Sequence, residues 1–337
     1  MVSGQHVSKV AILALVLLVA AGVVVHLSVP QENRPGTDIS FDYEEAQRIL
    51  RGENPYARIL SGDMRTNQKY PTYFPLFYLL SAGVIRAGLS DYASWLQFWR
   101  VVNLFFNIAA GVVLFGLLYR RNALLLAILG ACMWFLNRWG IRITESANID
   151  YPAVFFLLLA LWLVPKHRLT AFLMLSFSLG FKQLAAILVP LFLIYVWHDE
   201  REHPVRAVIV ALAVLASTLI ITSLPFFASS PEGFLKSMIF QLVRDPSSHI
   251  SGPTIDSILK TSGIVSRLPF SFLLGLVYLM FWHKQIGLYA AGLLVMSVFI
   301  NLSPVLFMQY FVWLMPFIPL AASETGLALR PTRPAGS

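Results

Sequence analysis

Long runs without a charged residue constrain this chain more than any other feature. Val10 to Val29 contains no Asp, Glu, Lys or Arg. Similar runs recur to the carboxy-terminal end, separated by short basic turns such as Arg120-Arg121, Lys166-His167-Arg168 and His283-Lys284. In hydrocarbon every backbone N–H and C=O must be satisfied within the chain, so runs of this length have to be helices. Only 12% of the residues are charged and 57% are hydrophobic, against about 25% charged in a soluble domain. The expected fold is all-α: a polytopic integral membrane bundle of about ten transmembrane helices.

The first helix is read at about 9–29, an uncleaved span rather than a signal peptide, because its apolar run is long for a signal core. The next spans fall near 95–119, 122–136, 153–165, 169–180, 184–197 and 205–227. Three more end near residues 283, 301 and 322. The whole chain, 1–337, reads as one membrane domain with two large loops, 30–94 and 228–267. The stretch 137–152 reads as a turn.

Charge sets the orientation. With the amino terminus in the cytoplasm, the inner turns hold ten basic and four acidic residues, net +6. The remaining fifteen basic and thirteen acidic residues, net +2, lie in much longer outer loops. That asymmetry follows the positive-inside bias. The formal charge of +8 is dispersed along the chain and gives no nucleic-acid signal. The single cysteine, Cys132, excludes an intramolecular disulfide. No Cys/His cluster has metal-ligand spacing, so no cofactor is required; the two acids of the first loop could hold a divalent metal, but ligand spacing does not indicate one.

The acids concentrate in loop 30–94. Residues 38–51 have helical spacing, with Phe41, Ala46, Ile49 and Leu50 on one face and Glu44, Glu45, Arg48 and Arg51 on the other. Residues 73–89 are apolar but open with Pro71 and Pro75 and contain Arg86, and read as a re-entrant or surface helix. Asp38 and Asp42 are four apart, so on a helix they share a face. They can serve as a general base for a sugar hydroxyl, hold a cation, or merely cap the helix and favour its dipole. Lys182 sits between two apolar stretches with no acid beside it in sequence. A lysine at membrane depth costs roughly 2.5–3.5 kcal/mol, which a phosphate oxyanion would offset; the alternative is snorkelling to the interface. Arg244, Asp245 and His249 form a pattern that is either a lipid-phosphate site or a solvated loop. Asn148 and Asp150 either line the same cavity or cap the next helix. Gln309 and Tyr310, near Trp313, offer sugar contacts or an interfacial aromatic belt.

Several segments, taken in order, resemble the GT-C membrane glycosyltransferases: TDISFDYEEAQRILRGENPY, KYPTYFPLFYLL, LGFKQLAAILVP, FLKSMIFQLVRDPSSHIS and LSPVLFMQYFVWLMPFIPL. Within that superfamily they are most similar to the polyprenol-phosphate-mannose-dependent enzymes of glycosyltransferase family 87 and to the first mannosyltransferase of GPI-anchor synthesis. The resemblance implies a polyprenyl-phosphate sugar donor, mannose by default, and a lipid-linked or glycan acceptor. It also implies inversion at the anomeric carbon and a site facing the periplasm of a bacterial inner membrane or its equivalent. It implies Asp38 as the catalytic acid group with Asp42 second, and Lys182, Arg244 and His249 at the donor phosphate. The sugar- and acceptor-binding candidates are Tyr43, Asn54, Tyr56, Tyr70, Asn148, Asp150, Gln183, Gln309 and Tyr310. Two departures stand out: the acids are spaced Asp-x-x-x-Asp rather than Asp-x-Asp, and no soluble carboxy-terminal domain follows. The rival readings are a lipid-sugar transporter or flippase and a non-catalytic membrane assembly protein.

Overall fold

The computed structural model describes residues 8–32, 37–62, 69–121, 123–243, 258, 267–303 and 306–328. Described residues form helices joined by turns, with no strand among them. Four helical spans are long and apolar enough to cross a bilayer: Lys9–Leu27, Tyr92–Tyr119, Leu124–Ser146 and Pro204–Ser229. Shorter apolar helices of 10–17 residues accompany them. The described residues are thus an all-helical bundle with the long apolar helices of an integral membrane protein.

Helix α1 (Lys9–Leu27) starts where the Ser8 hydroxyl accepts from the Ala11 N–H at 3.1 Å. Its side chains are apolar all round and many are exposed, including Leu13, Val16 and Leu17, as a lipid-facing helix requires. Helices α2 (Asp38–Leu50) and α3 (Leu76–Arg86) pack on each other, joined through a 3-10 turn, Pro55–Ser61. At 1.5 Å per residue the eleven residues of α3 rise only about 16 Å, roughly half a bilayer's hydrocarbon thickness. Then come α4 (Tyr92–Tyr119), α5 (Leu124–Leu136), α6 (Arg138–Ser146), α7 (Asp150–Leu163) and α8 (Arg168–Phe181). After a second 3-10 turn, Gln183–Leu188, follow α9 (Val189–Asp199), α10 (Pro204–Ser229) and α11 (Pro231–Val243). The last helices are α12 (Leu268–Trp282), α13 (Leu288–Leu302), α14 (Tyr310–Leu314) and α15 (Phe317–Ala328).

The centre of the bundle is α7, packed between α4 and α8, with α10 covering α8. The Ser178 hydroxyl donates to the Ala153 carbonyl at 2.7 Å and ties α8 to α7. Helices α1, α4 and α5 converge on Phe135. A Cβ on Gly111 would come within 2.2 Å of its ring and one on Gly22 within 2.8 Å. Small residues let membrane helices approach closely, which replaces the hydrophobic driving force absent in lipid.

The stretch 137–152, expected as a turn, instead carries α6. Asn137 explains it: its side-chain oxygen accepts from the Gly140 N–H at 2.6 Å, an N-cap, while Ile143 is buried. The helix ends at Ala147, whose φ is +55°. The face assignment in α2 is also corrected. Leu50 is exposed, whereas Glu45, expected on the solvent side, is only 2% exposed. The 3-10 turn lies over that face and brings Arg58 onto Glu45, which makes burial of the acid tolerable.

Helix α11 seats on the same turn. A Cβ at Gly233 would meet the Tyr56 carbonyl oxygen at 2.7 Å and Ala57 Cα at 3.1 Å. Both are backbone atoms that cannot rotate away. Gly233→Ala is therefore expected to cost about 1–3 kcal/mol, read as a lower thermal midpoint of the purified protein in detergent.

Candidate active site

A cavity of about 390 Å³ is lined by residues of α2, by Lys182 and the second 3-10 turn, and by residues of α12 and α13. Asp38 and Asp42 of α2 line it, four residues apart and facing the same space. Tyr70, Lys182, Gln183, Gln309 and Tyr310 line it as well. The cavity thus brings together seven of the sequence candidates from four separate parts of the chain. Asn148 stands just behind, its side-chain amide donating to Gln309 Oε1 at 2.7 Å. An aromatic wall of Phe240, Phe270, Phe299 and Phe307 completes it.

Three candidates stand away from the cavity and are held by bonds of their own. Tyr43 packs edge-on against Tyr92 and donates to the Ser90 carbonyl. Asn54 caps the 3-10 turn through Tyr56 N–H and donates to the Phe226 carbonyl at 2.8 Å. Tyr56 is fully buried and donates to the Tyr73 carbonyl at 2.7 Å. These contacts position the loop rather than present groups to a ligand. Arg244 and His249 lie outside the described residues.

The lysine that the sequence left open between a phosphate ligand and a snorkelling side chain is neither exposed nor unpaired. Chain α8 breaks at Lys182, which is extended (φ −155°, ψ 126°) and 4% exposed. Its ammonium donates to both Asp150 oxygens at 2.7 Å, and Trp313 Nε1 donates to Asp150 Oδ1 at 2.8 Å. Asp150 is completely buried, so its place in the site is behind Lys182 rather than on the cavity surface. The Tyr73 ring lies 5.8 Å from the ammonium. Removing one partner of a buried pair costs roughly 3–5 kcal/mol, so this pair is a fixed part of the wall.

Asp38 has a different partner, one that sequence reasoning missed. Lys69 Nζ donates to Asp38 Oδ1 at 2.6 Å, with side chains 33% and 43% exposed respectively. An exposed pair contributes roughly 0–1 kcal/mol. The sequence signal was present: Lys69 directly precedes the Tyr-Pro-Thr-Tyr-Phe-Pro run. Arg267, at the start of α12, also lines the cavity.

Asp42 is 8% exposed. Burial is the main cause that pushes its carboxyl well above the usual range, and Asp38 adds to it, while Lys182 pulls it back. The two acids are thereby differentiated: Asp38 pairs with a cation, and Asp42 favours its protonated form. Among the described residues no group of three His, Cys, Asp or Glu side chains converges on a metal position.

Glu45 beneath α2 provides a pH test of this region. Burial raises its carboxyl from 4.5 to about 7, despite the opposing Arg58 and Arg48. A raised folded-state value means the folded protein holds the extra proton between about 4.5 and about 7. Stability is then greatest below that window and falls as pH rises through it. Glu45→Gln keeps an acceptor for Arg58 and is expected to flatten this fall. Thermal midpoints of wild type and variant from pH 4.5 to 8 check it, and a parallel fall in both proteins would exclude Glu45 as its source.

Acids, lysines and aromatics gather in this cavity on a helical membrane bundle, and the chain is similar to a membrane mannosyltransferase. The similarity is to a particular protein: the chain is 22% identical over 309 residues to GPI mannosyltransferase 1 of Saccharomyces cerevisiae. The alignment covers 86% of this chain and 73% of the yeast protein. No family model matches the chain.

Proposed function

We propose that the chain transfers a hexose, mannose first among the candidates, from a polyprenyl-phosphate donor to a hydroxyl of a lipid-linked or glycan acceptor. The observation that carries this reading is the pair of α2 carboxylates facing a lysine-bearing, aromatic-walled cavity. The similarity to a curated mannosyltransferase supports it. The cell membrane houses the bundle through about ten crossings, with the cavity facing the periplasm or its equivalent, as the charge asymmetry favours.

In this reaction Asp38 accepts the proton of the acceptor hydroxyl as that oxygen attacks the anomeric carbon. The bond from that carbon to the phosphate oxygen breaks, and its electron pair leaves with the lipid phosphate. A single displacement inverts the anomeric carbon. Asp42, favouring its protonated form, is a hydrogen-bond donor to a sugar or phosphate oxygen. Lys182, fixed by Asp150, contributes a positive field against which charge develops on the leaving group. Arg244 and His249 remain candidates for the same phosphate. Gln183, Gln309 and Tyr310 supply hydrogen bonds to the sugar, with Asn148 orienting Gln309.

The test is transfer of labelled sugar by purified protein in lipid, offered polyprenyl-phosphate mannose, glucose and arabinose with a mixed acceptor extract. Transfer from one donor and none from its free sugar supports the reading. Movement of the lipid or sugar across the bilayer without transfer would replace it with a transporter.

A further inference from the structure

We infer that the end of the bundle opposite the active-site cavity holds a phosphatidylethanolamine headgroup, its phosphate on Arg206 and its ammonium on Glu202. The site stands apart from the transfer reading above and needs only that the helices lie in a bilayer.

A second cavity, of about 440 Å³, is lined by the start of α8, by Val196 of α9, by the turn after α9 and by the start of α10. Helix α8 fixes its place. Arg168 and Leu169, its first residues, line this cavity, while Phe181, its last, directly precedes Lys182 of the active-site cavity. The fourteen residues of α8, at 1.5 Å each, set the two apart by about 21 Å.

Two arginines and two glutamates line the second cavity, and they are used differently. Arg168 donates to Asp199 at 2.6 Å and to Glu200 at 2.9 Å. The other Glu200 oxygen accepts from the Glu202 N–H at 3.3 Å. Arg168 and Glu200 are therefore occupied in folding the turn. Glu202 and Arg206 are left, both exposed and four positions apart. Among the described residues neither has a salt-bridge partner, although both border the cavity. His203, between them in sequence, shares the rim. Opposite charges that border one cavity without pairing suit a ligand that carries both charges itself.

Water alone could satisfy two exposed charges, but it does not account for the apolar side of the cavity. Leu169 and Val210 line it and are exposed, and Val205, Ile209 and Leu212 continue the apolar surface along α10. Helix α10 is one of the spans long and apolar enough to cross a bilayer. A charged rim thus meets lipid-facing surface at the end of a membrane helix, as the headgroup and acyl chains of a phospholipid require. Ala207 and Ala211, one turn apart on the cavity wall, keep it open because neither side chain extends beyond Cβ.

Charge and hydrogen bonding then select among headgroups. Phosphatidylglycerol brings only a negative charge and would set it beside Glu202. Phosphatidylcholine carries both charges, but its quaternary nitrogen has no N–H to donate. A primary ammonium donates to the carboxylate while the phosphate accepts from the guanidinium fork, and both bonds are charge-assisted.

Native mass spectrometry of the purified full chain in detergent, titrated with dioleoyl lipids, tests the assignment. Wild type should bind phosphatidylethanolamine about fivefold or more tighter than phosphatidylcholine or phosphatidylglycerol, with the N-methyl and N,N-dimethyl forms in between. Glu202→Ala should erase the preference over phosphatidylcholine, and Arg206→Ala should weaken both lipids by about tenfold. Glu202→Lys should reverse the order and favour phosphatidylglycerol, a gain that damage to the fold would not produce. Exposed positions tolerate such changes, so thermal midpoints should stay close to wild type. Equal affinity of wild type for the three headgroups, or a preference unchanged in Glu202→Ala, overturns the assignment. So does phosphatidylethanolamine affinity in Arg206→Ala within about twofold of wild type. Displacement of the lipid by equimolar glycerophosphoethanolamine overturns its assignment to a membrane lipid.

Discussion

Asp38→Asn is expected to lower sugar transfer by roughly 10²–10⁴-fold, the range for a positioned general base, while leaving the thermal midpoint close to wild type. The side chain is partly exposed and its ion pair with Lys69 is of the weak class, so its loss should not unfold the protein. Asp42→Asn is the informative companion. Asp42 is pushed toward its protonated form, chiefly by burial, and a neutral amide keeps the hydrogen-bond donor that a protonated carboxyl supplies. Its loss should be about tenfold or less. The measurement is initial rate with the donor saturating, on protein whose folding is checked by melting. The reverse order, with Asp42→Asn the more damaging, would move the base to Asp42 and turn Asp38 into a binding group.

The largest stability effect should come from the buried Asp150. Asp150→Ala leaves the Lys182 ammonium buried without its carboxylate and is expected to cost about 3–5 kcal/mol, seen as failure to purify or a much lower thermal midpoint. The double variant Asp150→Leu with Lys182→Met removes both charges and should recover most of that stability, because a buried ion pair is often no better than an apolar pair of similar volume. It should not recover transfer, since the positive field at the cavity is gone. A double variant as unstable as the single would mean that Asp150 is needed for Trp313 or the start of α7, not for Lys182. Trp313→Phe isolates that bond: it removes the Nε1 donor to Asp150 and leaves the ion pair in place.

The contrast between these two acids also shows where local reasoning stops. Asp38 follows Thr37, with an amphipathic pattern behind it, and a helix start with both acids on one side can be read directly from spacing. Helix positions in the apolar runs are equally local, because hydrocarbon offers the backbone no alternative partner and the pattern has to close its own hydrogen bonds. Charge in the short turns then orients the runs. Even the helicity of α2 follows from period alone, though its buried face does not: Glu45 is inside because Arg58, thirteen residues on, arrives with the 3-10 turn.

What the amino-acid order determined by itself was a helical membrane bundle, a polar segment with its two acids after the first span, and a resemblance carried by residues in the right order. The tertiary structure alone decided which charges face which. Asp150 and Lys182 are 32 residues apart, Lys69 and Asp38 are 31 apart, and Trp313 is 163 from the acid it bonds. No periodicity connects such positions. Their pairing is set by α7 packing on α8 and by the chain following α2 folding back over it, and in a low-dielectric interior the partner, not the residue type, determines what a buried charge costs.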